Sequence, residues 1–301
     1  GTFPGAERDH RKFYKVALSS TDDQGFSAAY YHSTSDETFT STGDIYGQDV
    51  YRHSGIVDGL DLEIYSRKAE SEATTFGIGL ERKRMDSNSA GKRSASDAYG
   101  FFQKEASQGP LRLSGSVRLE KNSQFEVEAA PQLTAWYSAG RGFSIFSKLD
   151  RSFMYPRFDD LYWKGPNEQG DPSLRTEHSA GSEAGLHFDS KFLETSLAAY
   201  YRDVDDMILW RTDSTCLPTK STNASVHQRG LEASLTLRPA SGVQTLLSYS
   251  IERTTDETGK QLAYKPYSIF AWTVKAERPF SKHTSGGLVF SGRNLPRVNS
   301  G

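Results

Sequence analysis

Apolar and polar residues alternate along most of this chain. The clearest run lies between positions 111 and 119, where Leu111, Leu113, Val117 and Leu119 alternate with Arg112, Ser114, Ser116 and Arg118. The same period recurs from 231 to 238 and from 74 to 80. Because successive side chains of a β-strand point to opposite faces, each run predicts a strand with one apolar and one polar face. About fourteen such segments predict an all-β protein.

The lengths of the segments and of their connections indicate the type of β-protein. Many segments reach about ten residues, which is typical of membrane barrels, whereas strands of soluble proteins usually have about five or six. Short turns are predicted near 21–25, 70–73, 107–110, 139–142, 189–191, 240–242 and 281–285. Between them lie long polar connections at 33–55, 86–96, 156–176, 211–225 and 254–265. This alternation predicts an antiparallel transmembrane β-barrel with short periplasmic turns and long outer loops.

Composition is consistent with a barrel and excludes several other classes of protein. The hydrophobic fraction is 36% and the mean hydropathy is -0.63, with no apolar run long enough for a spanning helix. The net charge of -2 without charge runs argues against a nucleic-acid partner. The single Cys216 permits no internal disulfide. Because no metal, phosphate-loop, dinucleotide or nucleophile motif occurs, we expect no enzyme and no cofactor.

Motifs between about 142 and 240 resemble those of TonB-dependent outer-membrane receptors. Positions 143–156 resemble the family's strand that ends in Ser-Phe-Arg-x-Pro, and positions 158–163, Phe-Asp-Asp-Leu-Tyr-Trp, are similar to the Leu-Tyr motif after it. The segments Gly170–Leu174 and Thr176–Ser179 resemble the family's Gly-Asn-Pro-x-Leu-x-Pro-Glu-x-Ser. The chain departs from these patterns at Met154, Tyr155, Asp171 and Thr176.

The resemblance continues to about position 280 and implies a particular domain organisation. Positions 228–239 resemble the family's Gly-x-Glu strand, and positions 262–266 its Tyr-x-Pro opening of a later strand. Barrels of this family have more than fourteen strands, an N-terminal plug in the lumen and an aromatic C-terminus. Neither of the last two features is seen in this sequence. We therefore expect residues 1–301 to form a partial receptor barrel without the plug domain.

The connection from Pro156 to Thr176 is the best candidate for a ligand site. It combines the amphipathic rings of Tyr162 and Trp163 with a turn-rich sequence, and loops of this kind commonly carry binding residues. Asn167 and Asp171 add polar groups, so we predict these four residues as ligand-binding. A structural role remains open, because Leu161-Tyr162 belongs to the family's motif and could tie the loop to the barrel. No metal site is predicted.

The resemblance also implies a function for the intact protein. It would lie in the outer membrane of a Gram-negative bacterium and import a scarce, bulky nutrient such as cobalamin, an iron-siderophore or haem. TonB would drive this transport through the plug, and the Asp-Leu-Tyr-Trp sequence favours cobalamin. The expected partners are therefore outer-membrane lipid, TonB and a small ligand such as cobalamin or an iron chelate. Two alternatives remain: a passive or structural outer-membrane barrel, and a soluble secreted β-protein that binds carbohydrate.

Overall fold

In the computed structural model, a single antiparallel sheet contains most of the chain. The structure describes residues 5–44, 47–68, 71–165, 167–212, 218–263, 265–281 and 284–294. The elements are β1 (Gly5–Ser19), β2 (Gln24–Asp44), β3 (Gly47–Lys68), β4 (Glu72–Ser87), β5 (Gly91–Gln108), β6 (Leu111–Asn122), β7 (Val127–Gly140), β8 (Phe143–Met154), α1 (Phe158–Tyr162), β9 (Glu168–Gln169), β10 (Glu177–Asp189), β11 (Leu193–Thr212), β12 (Thr219–Ala240), β13 (Val243–Asp256), β14 (Ser268–Ser281) and β15 (Thr284–Asn294).

The strands pair in chain order, each with the next, from β1 to β15. Only β9 departs from this order, because its two residues pair in parallel with β12 beside the main path. Fourteen strands therefore form the path, which confirms the predicted all-β antiparallel fold and the predicted strand number. Within the described residues, β1 and β15 are the two ends of this path. The only α-helix described is five residues long, and none is long and apolar enough to cross a membrane.

One end of the sheet, called the turn end below, carries only short connections in the described chain. The breaks between strands at this end coincide with the seven short turns predicted from the sequence. Gly142 shows why one of them needs glycine, because its φ is +84° and an added Cβ would lie 2.1 Å from the backbone oxygen of Asp189. The β7–β8 turn therefore depends on glycine at position 142.

The opposite end, called the loop end below, differs from the prediction at three places. The segments 33–55, 86–96 and 211–225 were predicted as long loops, but most of their described residues belong to paired strands. The β2–β3 ladder, for example, continues from Ser33 opposite Val57 to Ser41 opposite Asp49. These strands continue beyond the apolar band, where apolar residues no longer mark a single lipid-facing side, although backbone pairing continues.

Two of the predicted long connections are confirmed. Residues 155–176 join β8 to β10 and contain α1 and β9, while residues 257–267 join β13 to β14. Both connections lie at the loop end.

The two faces of the sheet have the predicted chemistry. Apolar side chains of one face are exposed, with Leu113 at 42% and Leu119 at 52% exposure, as expected for side chains that contact lipid. The opposite face carries ion pairs, such as Arg202 with Asp150 at 3.0 Å and Arg118 with Glu120 at 2.7 Å. This polar face is the lumen side of the barrel wall.

Candidate ligand-binding site

The segment 155–176, called the loop segment below, follows the end of β8 at Met154 and leads through Pro156 into α1. The N–H of Arg157 donates to the Asp160 carboxylate at 3.1 Å, which satisfies one of the free donors at the start of α1. Leu161, in the last turn of α1, is only 2% exposed. Such burial is unusual in a protein whose large apolar side chains mostly face outward, so the loop segment has a small core of its own.

Asp160 connects the loop segment to two strands of the wall. Its carboxylate accepts a hydrogen bond from Trp210 Nε1 on β11 at 3.1 Å. Its backbone oxygen accepts one from Ser221 Oγ on β12 at 2.7 Å. Asp160 is 3% exposed and Ser221 is fully buried, so these bonds are shielded from competing water. The loop segment is therefore fixed to the barrel wall.

The second half of the loop segment folds back against α1. An added Cβ on Gly170 would lie 2.8 Å from both the Asp160 oxygen and the Trp163 nitrogen, so only glycine fits this approach. The Asp171 carboxylate accepts hydrogen bonds from Ser173 Oγ at 2.6 Å and from Ser173 N–H at 2.8 Å. These two bonds, the hydroxyl bond first, hold the pKa of Asp171 below its usual value. Asp171 therefore stabilises its own turn as an anion.

Trp163 stacks on two side chains of β3. Its ring centroid is 5.1 Å from that of Tyr51 and 5.3 Å from that of His53. Tyr51, His53 and Trp163 are called the aromatic cluster below. Trp163 Nε1 and His53 Nδ1 are buried and have no hydrogen-bond partner among the described residues. Two unpaired polar atoms in one stacked group are unusual, because buried polar atoms are normally satisfied.

Tyr162 and Asn167 lie close to the aromatic cluster in the chain. The Arg93 guanidinium of β5 lies 3.8 Å from the centre of the Tyr162 ring, in a cation–π contact. The backbone oxygen of Asn167 accepts a hydrogen bond from the Thr219 N–H at 2.7 Å, which places Asn167 beside the start of β12. Tyr162, Trp163 and Asn167 are each half-buried.

Two of the four predicted residues, Tyr162 and Trp163, thus contact residues that the sequence analysis did not predict as part of the site. Tyr51 and His53 fall in the segment 33–55 that was predicted as a loop, and Arg93 falls in the segment 86–96. A signal for the first pair was present, because Tyr51, His53 and Gly55 continue the lumen-side positions of β3 at a spacing of two. Ligand binding by Tyr162, Trp163, Asn167 and Asp171 stays a prediction.

Comparison with known proteins connects this geometry to a family. The family described as TonB dependent receptor-like, beta-barrel matches residues 3–297. The vitamin B12 transporter BtuB of Photobacterium profundum is 25% identical over 171 residues, which are 56% of this chain and 25% of that protein. The same transporter of Vibrio vulnificus strain CMCP6 is 24% identical over 178 residues, or 59% of this chain and 27% of that protein.

Solved structures show the same fold. A siderophore receptor, PirA from Acinetobacter baumannii, has a TM-score of 0.75 at 12% identity, with 97% of this chain and 52% of that chain covered. A mutant of the ferric enterobactin receptor PfeA from Pseudomonas aeruginosa has a TM-score of 0.76 at 15% identity, with 90% and 47% covered. The chain thus spans about half of these structures and about a quarter of the curated relatives. On this evidence the chain belongs to the TonB-dependent receptor β-barrel family of the Gram-negative outer membrane.

Proposed function

We propose that the protein containing this barrel takes up a scarce, bulky nutrient across the outer membrane, and that the nutrient is a cobalamin-like compound or an iron chelate. The family is one of receptors and transporters, which supports nutrient uptake as the general activity. TonB, acting through a plug domain, would supply the energy. The competing function is a passive or structural barrel, in which transport would not depend on TonB.

The observation that carries this proposal is the aromatic cluster at the loop end. Stacked rings give a large, rigid contact surface that loses little conformational entropy on binding. Trp163 Nε1 and His53 Nδ1 are buried without a partner in the described part of the chain, so a ligand would form hydrogen bonds with them only after the loop segment moves. Cobalamin carries amide groups at its periphery, and the two curated relatives described above are vitamin B12 transporters, so both lines of support favour cobalamin.

The predicted site residues divide into two roles under this proposal. Trp163 and Tyr162 contact the ligand, with Arg93 holding the Tyr162 ring in place. The Asp171 carboxylate accepts from Ser173 and so orders its turn, while the backbone oxygen of Asn167 accepts from the Thr219 N–H and places the Asn167 side chain beside β12. Any contact of these two side chains with the ligand would therefore be secondary. Substitutions of the first pair should therefore change affinity directly.

The test uses the full-length receptor with Tyr162→Ala and Trp163→Ala combined, and measures cobalamin affinity beside heat-modifiable gel mobility. Because aromatic residues at binding hot spots contribute about 2 kcal/mol or more, we expect affinity to fall at least roughly thirtyfold with unchanged mobility. Trp163→Phe keeps the ring but removes the N–H, so its loss should be smaller. Phe192→Ala removes an exposed ring at the turn end and serves as the control.

Three results would count against the proposal. Unchanged affinity in the double variant would assign ligand capture to other parts of the loop end, first to 33–55 and 211–225. Altered mobility would instead assign Tyr162 and Trp163 a structural role. Uptake that persists equally in cells lacking TonB would support the passive barrel.

A further inference from the structure

The lipid-facing side of the wall contains a groove near the loop end. Its volume is about 400 Å³, and its lining is almost entirely apolar. The walls are formed by large side chains of neighbouring strands, and the floor by the small residues Ala98 and Gly100 of β5. The wall residues are Leu60, Leu62, Ile78, Leu80, Leu119 and Val127. This set is called the outer groove below.

Strand register explains why the groove forms at this place. Ala98 lies opposite Leu80 of β4 on one side and opposite Lys121 of β6 on the other. Gly100 lies opposite Ile78 and Leu119 in the same way. Directly opposed residues of an antiparallel sheet share one face, so two small residues are flanked on both sides by long side chains. A narrow channel along β5 results.

Two basic side chains, Arg82 and Lys121, lie at the end of the outer groove that is nearer the loop end of the sheet. Arg82 follows Leu80 by one step on the same face of β4 and is exposed. Lys121 on β6 lines the groove itself and is also exposed. The two residues lie on either side of β5, Arg82 opposite Ser96 and Lys121 opposite Ala98. Their backbones are therefore about 10 Å apart across the sheet and about 7 Å apart along it. Two cations therefore mark the boundary between the apolar band and the polar loop end.

The carboxylates near Arg82 and Lys121 neutralise these two cations only weakly. Among the described residues, Arg82 has no carboxylate within ion-pair distance. Lys121 lies 3.9 Å from the Glu126 carboxylate, which is almost fully exposed, and also donates to the Phe125 carbonyl. Asp58, on the same face, is bound by Arg84 at 2.9 Å and His32 at 2.8 Å. Glu81 and Glu120 alternate with these residues and so face the lumen.

We propose that the outer groove binds a phosphorylated lipid of the outer leaflet, with one acyl chain along Ala98 and Gly100 and a phosphate between Arg82 and Lys121. An apolar groove alone would accept any lipid chain, but unpaired cations at its loop end select a lipid whose negative charge lies just above its chains. The loop end faces the outer leaflet, where such glycolipids are found. This inference does not depend on which nutrient is transported.

The experiment measures lipid binding to the full-length receptor in detergent by native mass spectrometry, with bis-phosphorylated lipid A as the probe. The double variant Arg82→Gln and Lys121→Gln should bind lipid A about fivefold less tightly for each charge removed. Lys104→Gln removes a charge from the same face at the turn end, where Lys104 pairs with Glu72, and should leave affinity unchanged. Dephosphorylated lipid A should bind the unaltered receptor as weakly as lipid A binds the double variant.

The apolar half of the site has its own test. Ala98→Phe fills the floor of the outer groove and should reduce lipid A binding, whereas Ala233→Phe, placed between Leu197 and Tyr249 elsewhere on this face, should not. Heat-modifiable mobility checks that each variant folds. Equal binding of phosphorylated and dephosphorylated lipid by the unaltered receptor would overturn the proposal. An Ala98→Phe variant that binds like Ala233→Phe would also overturn it.

Discussion

The barrel wall and the loop segment are stabilised in opposite ways. In the wall, large apolar side chains such as Leu119 are exposed, at 52%, and backbone ladders join each strand to its neighbours. In the loop segment, Leu161 is 2% exposed and Asp160 is 3% exposed, and few backbone ladders are present. The wall therefore needs lipid to cover its apolar face, whereas the loop segment carries its own buried core.

This difference shows how a regular wall can present a specific surface. The strands alone place residues at fixed spacings but leave the lumen side broad and polar. The loop segment, fixed by Asp160 to Trp210 and Ser221, brings Trp163 across to Tyr51 and His53 of β3. The aromatic cluster thus depends on a packed connection between distant strands, and the comparison can be tested by weakening one region at a time.

The largest expected effect is in the core of the loop segment. Leu161→Ala removes a buried side chain, and such truncations typically cost about 2–5 kcal/mol. Because this core is local, we expect the loop segment to open while the barrel stays folded. Limited proteolysis should then cut between 155 and 176, with heat-modifiable mobility unchanged. Loss of the folded barrel band would show instead that the loop segment and the wall fold as one unit.

A charge on the lipid side of the wall should have a slightly smaller effect. Val117→Arg places a cation on the apolar face of β6, where the cost near the bilayer midplane is about 2–4 kcal/mol. Ser116→Arg, on the lumen side one residue earlier, should cost little because that face is wet. Unfolding free energies in lipid vesicles measure both. Similar costs at the two positions would mean that the faces are assigned to the wrong sides.

The smallest expected effect concerns the turn at Asp171. Asp171→Ala removes the acceptor of two hydrogen bonds from Ser173, which should cost about 1 kcal/mol of local stability. Since the pKa of Asp171 is lowered in the folded state, its contribution is present at neutral pH and declines as pH falls through that lowered value. Protease susceptibility of the loop segment across acidic pH measures this, and Asp171→Ala should abolish the dependence.

The wall and the loop segment also differ in how well sequence reasoning described them. The strands and the seven short turns followed from alternation and from glycine-containing turns, since both are local signals. The extension of the strands at the loop end, as in β2 and β3, did not follow from alternation. Beyond the membrane both faces of these strands can contact water, so alternation of apolar and polar residues no longer marks a strand. Tyr51 and His53 were therefore assigned to a loop, although they belong to a paired strand.

The sequence by itself determined the fold class, the strand number, the two faces of the wall and the position of the loop segment. Each of these depends on residues near one another in the chain, so period and turn chemistry are sufficient. Only the tertiary structure decided that Trp163 stacks on β3, that Asp160 binds β11 and β12, and that Arg82 and Lys121 flank a groove over Ala98. Such contacts join residues that are far apart in the chain. They are determined by cross-strand register and by the packing of the loop segment, and no local sequence pattern predicts them.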